Sequence, residues 1–350
     1  MACDPVAPVA FPWVEWTAAP SGWDARNHAM QMDSRALRLV MVARGPRAID
    51  RDRSLVQLGK RFVMHRTTVP LVVAALAGAV VLRCFGQEST ESDPATEAKA
   101  PSIDELLLFF PSKFPNGDWN PSGLQFQDIF FAAEDGTKLH GWYCPANNSR
   151  AVVLVAHGNA GHVAARAPWL RYLQTRARVS VFMFDYRGYG RSEGTPTVEG
   201  AIQDATAARA KLCQLAAITD SEMLLMGESL GGAIVIQSAA KSPPRGLILQ
   251  STFSSLRDVA DVHYPRLSWL VPQNKLDSVA QIGRFRGPLL QSHGTADRTI
   301  PFSSGERLFR AANEPKQFVA IENAGHNNWL TDAYLKTLDE FITRVSPARK

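Results

Sequence analysis

Three residues in the second half of this 350-residue chain have the types needed for nucleophilic acyl transfer: Ser229, Asp297 and His326. A serine hydroxyl is a poor nucleophile until a neighbouring base takes its proton. A histidine can be that base, and a carboxylate can fix its tautomer and stabilise the imidazolium that forms. Ser229 lies in Gly227-Glu228-Ser229-Leu230-Gly231, directly after the apolar run Met223 to Met226 and directly before an Ala/Ile-rich stretch. Such a G-x-S-x-G segment suits a sharp, strained strand-to-helix turn, in which the glycines let strand and helix pack close. The turn lifts the hydroxyl to a helix N-terminus, where free N–H groups and the macrodipole favour negative charge. A glycine-rich helix start without chemistry would explain neither Ser229 nor Gly232.

The partners follow later strands. Pro288-Leu-Leu-Gln-Ser-His293-Gly294-Thr-Ala-Asp297 reads as a strand, a turn and the orienting acid. Phe318-Val-Ala-Ile321-Glu-Asn-Ala-Gly325-His326 reads as the last strand and the general base. His157-Gly158-Asn159-Ala160-Gly161 follows the run AVVLVA, where a loop can lend a backbone N–H to a developing oxyanion. The N–H groups of Asn159 and Leu230 are the expected donors. His157 and His293 are read as structural histidines. Asp185, in the Gly-rich segment Phe184 to Gly190, is the competing acid and is read as shaping a loop or pairing with Arg187.

The elements that must position these residues alternate between strand and helix. Phe126 to Ala133 and Thr137 to Cys144, joined by Asp135-Gly136, read as a hairpin. Continuous apolar runs at Ala151–Ala156, Val179–Phe184, Met223–Met226, Gly246–Gln250, Pro288–Gln291 and Gln317–Ile321 suit a parallel sheet covered on both faces. Residues 197–217, opened by Thr195-Pro196, together with 229–241 and 328–345, have helical spacing. The expected fold class is α/β: a mostly parallel, doubly wound sheet with an N-terminal hairpin. Ser254 to Gly287 lies between two strands and forms a short helical cap. Its apolar set, Val259, Val262, Tyr264, Leu267, Trp269, Leu270 and Val271, either lines an acyl pocket or packs the cap down.

Composition narrows the classes further. Residues 101–350 carry 26 Lys/Arg and 23 Asp/Glu, which leaves no electrostatic footprint for nucleic acid, and no nucleic-acid partner is expected. Cys3, Cys84, Cys144 and Cys213 show no CxxC spacing and no metal-type clustering with histidine. Neither a metal nor an organic cofactor is expected. A Cys144–Cys213 disulfide cannot be read from spacing. Residues 1–63 are rich in Trp, Arg, Ala and Pro and show no fold-forming periodicity; a start at Met64 would make them an over-extended translation. Residues 64–86, with a short basic start and an apolar run from Val69 to Leu82, read as a signal peptide or signal anchor. Residues 87–100 read as a flexible linker and 101–350 as the catalytic domain. Membrane anchoring or export follows from residues 64–86, and a cytoplasmic location if that segment does not act.

Taken together, HGNAG, FDYRGYGRSEG, GESLGG, HGTAD and GAGHNNW resemble the α/β-hydrolase-domain serine hydrolases with a short cap, over about residues 122–346. This group is often membrane-anchored, and some relatives are protein depalmitoylases. The chain order Ser, Asp, His is the one expected for this fold. The resemblance implies Ser229, Asp297 and His326 as a triad, with Asn159 and Leu230 for the oxyanion. Asn328 departs from the acidic residue common near the catalytic histidine. The expected activity is cleavage of carboxylic esters or thioesters through an acyl-enzyme, on a small-molecule or acylated, lipid-like substrate. A peptidase or amidase of the same fold is a second reading, and a catalytically silent binding protein a third.

Overall fold

Strands made almost wholly of Val, Leu, Ile, Phe and Met can be satisfied only where both faces are covered. A computed structural model of the protein describes residues 101–346, and the expectations for residues 1–63, 64–86 and 87–100 lie outside them. The strands are β1 (Phe110–Pro111), β2 (Gln127–Ala132), β3 (Lys138–Cys144), β4 (Val152–Ala156), β5 (Ala160–Gly161), β6 (Ser180–Asp185), β7 (Leu224–Glu228), β8 (Gly246–Gln250), β9 (Leu289–Gly294) and β10 (Lys316–Ile321). The α-helices are α1 (Ile103–Leu106), α2 (Ala167–Thr175), α3 (Val198–Ala216), α4 (Leu230–Lys241), α5 (Leu256–His263), α6 (Ser278–Ile282), α7 (Phe302–Ala311) and α8 (Asp332–Val345).

Eight strands form one sheet in the order β2-β3-β6-β4-β7-β8-β9-β10. From β6 to β10 all pairings are parallel, whereas β3 runs antiparallel to both β2 and β6. The order reverses at β4, so the crevice beyond the carboxyl ends of β4, β6 and β7 is where a ligand site is expected in such a sheet. The two short strands β1 and β5 pair separately, parallel, with Phe110 opposite Ala160. This pairing tethers the start of the domain to the loop that follows β4.

Side-chain parity builds the layers. Leu154, Phe182, Leu225 and Leu247 point into one cluster with Ala205 of α3 and Ile234 of α4. Gln250, on the opposite parity of β8 from Leu247, donates its side-chain amide to the Tyr334 hydroxyl of α8 at 2.6 Å. Helix α2 joins α8 on that second face through Trp169, whose ring meets Trp329 edge-on at 5.2 Å, and Trp329 in turn meets Tyr334. Both faces of the sheet are therefore covered, as the apolar runs require.

Two helix starts differ from the reading of the sequence. Pro196 does not open α3; Thr197 is the N-cap and accepts from the Gly200 N–H at 3.0 Å. Helix α8 begins at Asp332 and not at residue 328, because Thr331 caps it by accepting from the Tyr334 N–H at 3.2 Å. Cys144 and Cys213 are both free thiols, and burial pushes the Cys144 thiol up to about 12.

Leu154 lies at the centre of the sheet with no exposed surface. Leu154→Ala is expected to cost about 2–5 kcal/mol, the usual range for a buried leucine whose cavity cannot collapse. Urea unfolding followed by circular dichroism should show a lowered midpoint at unchanged slope.

Candidate active site

At the end of β7 the backbone turns through Ser229, which adopts φ 51° and ψ −116° and is the N-cap of α4. A non-glycine residue in such a conformation typically carries about 1–3 kcal/mol of strain and persists only where its surroundings hold it. Here the Ser229 N–H donates to the Gln250 carbonyl at 2.8 Å, and its carbonyl accepts from the Thr252 hydroxyl at 2.7 Å and the Gly232 N–H at 3.0 Å. The glycines explain why the turn fits. A Cβ on Gly231 would fall 2.0 Å from the Ala156 carbonyl oxygen, and one on Gly227 would fall 2.5 Å from the Gly231 backbone. Leu230 is the first residue of α4, where an N–H has no intrahelical acceptor.

Asp297 and His326 come from different strand ends and meet. The Asp297 side chain is fully buried, and its Oδ2 lies 2.7 Å from His326 Nδ1. Its Oδ1 accepts from the backbone N–H groups of Thr299 and Ile300, both at 2.8 Å. Burial alone would raise the Asp297 carboxyl, but hydrogen bonds from His293 and His326, the charge of His326 and the Ile300 N–H together hold it well below the usual carboxylate range. An ionised carboxylate only accepts, so His326 Nδ1 carries the proton and Nε2 of the neutral ring keeps its lone pair. The loops bearing the two residues are joined directly: the Thr295 N–H donates to the Ile321 carbonyl, the Ala296 N–H to the Ala324 carbonyl, and the Asn323 N–H to the Thr295 hydroxyl.

The two histidines read as structural each stand against a buried carboxylate. His293 Nε2 lies 2.9 Å from the Ile300 carbonyl and 3.3 Å from Asp297 Oδ2. Both partners are acceptors, so this nitrogen bears the proton and His293 braces the carboxylate. His157 has Nδ1 2.7 Å from the Gly158 carbonyl and Nε2 3.6 Å from Asp185 Oδ1. Asp185 is likewise buried; its Oδ1 accepts from the Val163 N–H at 2.7 Å, and its Oδ2 lies 3.6 Å from His140 Nδ1. Burial would raise this carboxyl, but His140, His157 and the Val163 N–H lower it instead. Asp185 thus shapes the loop after β4 through histidines. It does not pair with Arg187, which is held by Asp204 and Asp135.

The same loop presents Asn159. Its carbonyl accepts from the Phe110 N–H at 2.9 Å and the Tyr189 hydroxyl at 2.7 Å, and its side-chain amide donates to the Leu108 carbonyl at 3.1 Å. Sequence reasoning did not single out Thr252, Tyr186 or Tyr189. Tyr186 donates to the His157 carbonyl at 2.8 Å, and membership of the FDYRGYG motif was the signal that could have drawn attention to either tyrosine. Of the cap's apolar set, Val271 is buried, whereas Val262, Leu267, Trp269 and Leu270 are exposed. A cleft of about 470 Å³ between α5, α6 and α7 is lined by Ser254, Arg257, Asp258, Asp261 and Arg307 and contains none of Ser229, Asp297 or His326. Among the described residues, no group of three or more His, Cys, Asp or Glu is arranged to hold a metal ion.

Comparison with known proteins agrees with this fold. Residues 147–281 match the family described as serine aminopeptidase, S33. The uncharacterized protein Rv2307c of Mycobacterium tuberculosis is 37% identical over 266 residues, covering 74% of this chain and 88% of the relative. The α/β-hydrolase domain-containing protein WAV2 of Arabidopsis thaliana is 31% identical over 254 residues, covering 65% of this chain and 82% of the relative. The chain belongs to the α/β-hydrolase superfamily. Among solved structures, this α/β-hydrolase is similar to the Pyrococcus furiosus esterase Pf2001, with TM-score 0.58, 19% identity and coverage of 69% of this chain and 98% of that one. Acetyl xylan esterase 1 from Thermoanaerobacterium shares the fold at TM-score 0.53 and 17% identity, covering 65% of this chain and 86% of that one.

The lowered Asp297 carboxyl has a pH consequence. A group whose folded pKa is depressed stabilises the fold above its unfolded pKa, about 3.9 for aspartate, and that contribution is lost as pH falls towards the folded value. The stability gap between wild type and Asp297→Asn is therefore expected to shrink as pH falls below about 4. Thermal unfolding of both proteins below pH 4 checks it; a gap that widens there would contradict the assignment.

Proposed function

We propose that this hydrolase cleaves carboxylic ester or thioester bonds, with Ser229 as nucleophile, His326 as general base and Asp297 as the orienting acid. The observation that carries the reading is the pairing of a strained serine at a helix N-terminus with a His326–Asp297 pair on the same carboxyl edge of the sheet. In the first step Ser229 Oγ bonds to the substrate carbonyl carbon while its proton passes to His326 Nε2. The carbonyl oxygen becomes an oxyanion that accepts from the N–H groups of Asn159 and Leu230. Collapse breaks the bond to the leaving oxygen or sulfur, which takes the proton from His326, and leaves an acyl group on Ser229. Water, deprotonated by His326, then attacks the acyl carbon, and the carboxylic acid departs as Ser229 regains its proton. No step requires a metal or an organic cofactor. The esterase names of the solved structures sharing this fold are in line with an ester substrate.

A second reading, a peptidase or amidase, is favoured by one observation: the family matched by residues 147–281 is described as a serine aminopeptidase. Both readings use the same three residues and differ in the leaving group.

The test is hydrolysis of p-nitrophenyl esters of increasing acyl length, of an acyl thioester, and of aminoacyl p-nitroanilides. Wild type is expected to cleave esters, and Ser229→Ala to lose about 10⁴–10⁶-fold in kcat, as for other serine nucleophiles. Anilide cleavage without ester cleavage would move the assignment to a peptidase. Folded protein that cleaves nothing and takes up no phosphonate at Ser229 would overturn the enzymatic reading.

A further inference from the structure

The bonds that hold Asn159 come from outside its own loop. The Phe110 N–H and the Tyr189 hydroxyl both donate to its carbonyl, at 2.9 and 2.7 Å, and its side-chain amide donates to the Leu108 carbonyl at 3.1 Å. The Phe110 N–H also lies 3.1 Å from the Tyr189 oxygen, so that Phe110, Tyr189 and Asn159 close one junction. None of these bonds uses the Asn159 N–H, the atom that would face an oxyanion. The loop needs such help. It is flanked by Gly158 and Gly161, the second at φ 85°, and glycines leave a backbone free to take many conformations.

The two segments that supply the clamp are tied to each other. The Gly190 N–H donates to the Ser112 carbonyl at 2.8 Å, the Phe114 N–H to the Gly190 carbonyl at 3.1 Å, and Lys113 Nζ to the Ser192 carbonyl at 2.9 Å. On its other side, the Ser112 N–H donates to the Gly161 carbonyl at 3.3 Å. Residues 108–114 therefore run between the loop after β4 and the loop after β6 and bond to both. Further back, the Glu105 carboxylate accepts from the Val198 N–H at 2.9 Å and from Lys275 of the cap at 3.1 Å, which anchors the segment at its start. Tyr189 itself is fully buried, with its ring edge-on to Phe109 and Tyr186. Burial pushes its phenol well up, so the hydroxyl keeps its proton and donates. A phenylalanine ring would make the same ring contacts; only the hydroxyl reaches Asn159.

An oxyanion donor is useful when it is fixed in place before charge develops. A misplacement of about 1 Å can cost about 10²-fold in rate. We propose that Tyr189 and the segment Leu108–Phe110 are positioning elements of the active site, which fix Asn159 so that its N–H is aimed at the developing oxyanion. The proposal rests on the reading of Ser229 as nucleophile, and adds to it a residue that acts through Asn159 and not on the substrate.

The test uses the full-length chain, the p-nitrophenyl ester or p-nitroanilide that the wild type cleaves, and a trifluoromethyl ketone. Such a ketone adds reversibly to a serine hydroxyl and leaves its own oxygen as an oxyanion. Tyr189→Phe is expected to lower kcat by about 10–100-fold at unchanged KM, and to raise the Ki of the ketone by a similar factor. Asn159→Ala keeps the backbone N–H and loses the bond to Leu108. It is expected to move kcat and Ki in the same directions, and it carries the test should Tyr189→Phe fail to fold. A lowered kcat with unchanged Ki reports less folded enzyme and overturns the proposal. So does wild-type behaviour in both variants while cleavage still depends on Ser229. Cleavage that persists in Ser229→Ala, or a folded wild type that cleaves neither substrate, would instead overturn the nucleophile reading and the positioning role with it.

Discussion

The close approach of helix α4 to strands β4 and β7 governs the whole carboxyl edge. A single methyl group on Gly231 would stand 2.0 Å from the Ala156 carbonyl oxygen, so the helix can occupy its place only because no side chain is there. Gly232 is similarly constrained: a Cβ there would fall 2.5 Å from the Thr252 side chain. Thr252 then hydrogen-bonds the Ser229 carbonyl. The serine is thus held by backbone and side-chain groups from β7, from the end of β8 and from the first turn of α4. Its unfavourable φ is a property of this packing, imposed from three sides, and not a local preference of the residue.

Two buried carboxylates divide the remaining work. Asp297 serves the base side: backbone N–H groups of Thr299 and Ile300 occupy one oxygen, and His326 and His293 face the other. Asp185 serves the loop after β4, with the Val163 N–H on one oxygen and histidines facing both. A buried charge is tolerable only when paired and hydrogen-bonded. In each case the imidazoles do this while also acting as rigid spacers between loop and sheet. Four of the chain's eight histidines are engaged in this way.

Much of this was legible in the residues themselves. The six parallel strands announce themselves as apolar runs, and the hairpin by Asp135-Gly136. Ser229, Asp297 and His326 stand where strand ends put them. What was hidden depends on long-range contact. Nothing in the local sequence says that Arg187 chooses Asp204, 17 residues on, and Asp135, 52 residues back, over its near neighbour Asp185. The bracing role of His293 required knowing that β9 and β10 bring His326 against the same carboxylate. Strands β1 and β5, two residues each, are too short to leave any periodicity. Which of the cap's apolar residues turn inward, as Val271 does, and which outward, as Trp269 does, was not legible, because composition cannot distinguish the two.

Thr252 stands only two residues before Ser254, where the segment between β8 and β9 leaves the sheet edge. The contact that fixes the serine therefore ends just where the cap begins, and at its far end Gly287 returns the chain directly to β9. The cap is thus joined to the sheet edge at two closely defined junctions. Its inner face is not independent of the nucleophile: α6 packs against α4, and Leu256, Val271, Leu276 and Ile282 lie in one core cluster with Leu230 and Ile234, so a change on that face reaches the helix whose first turn holds Ser229.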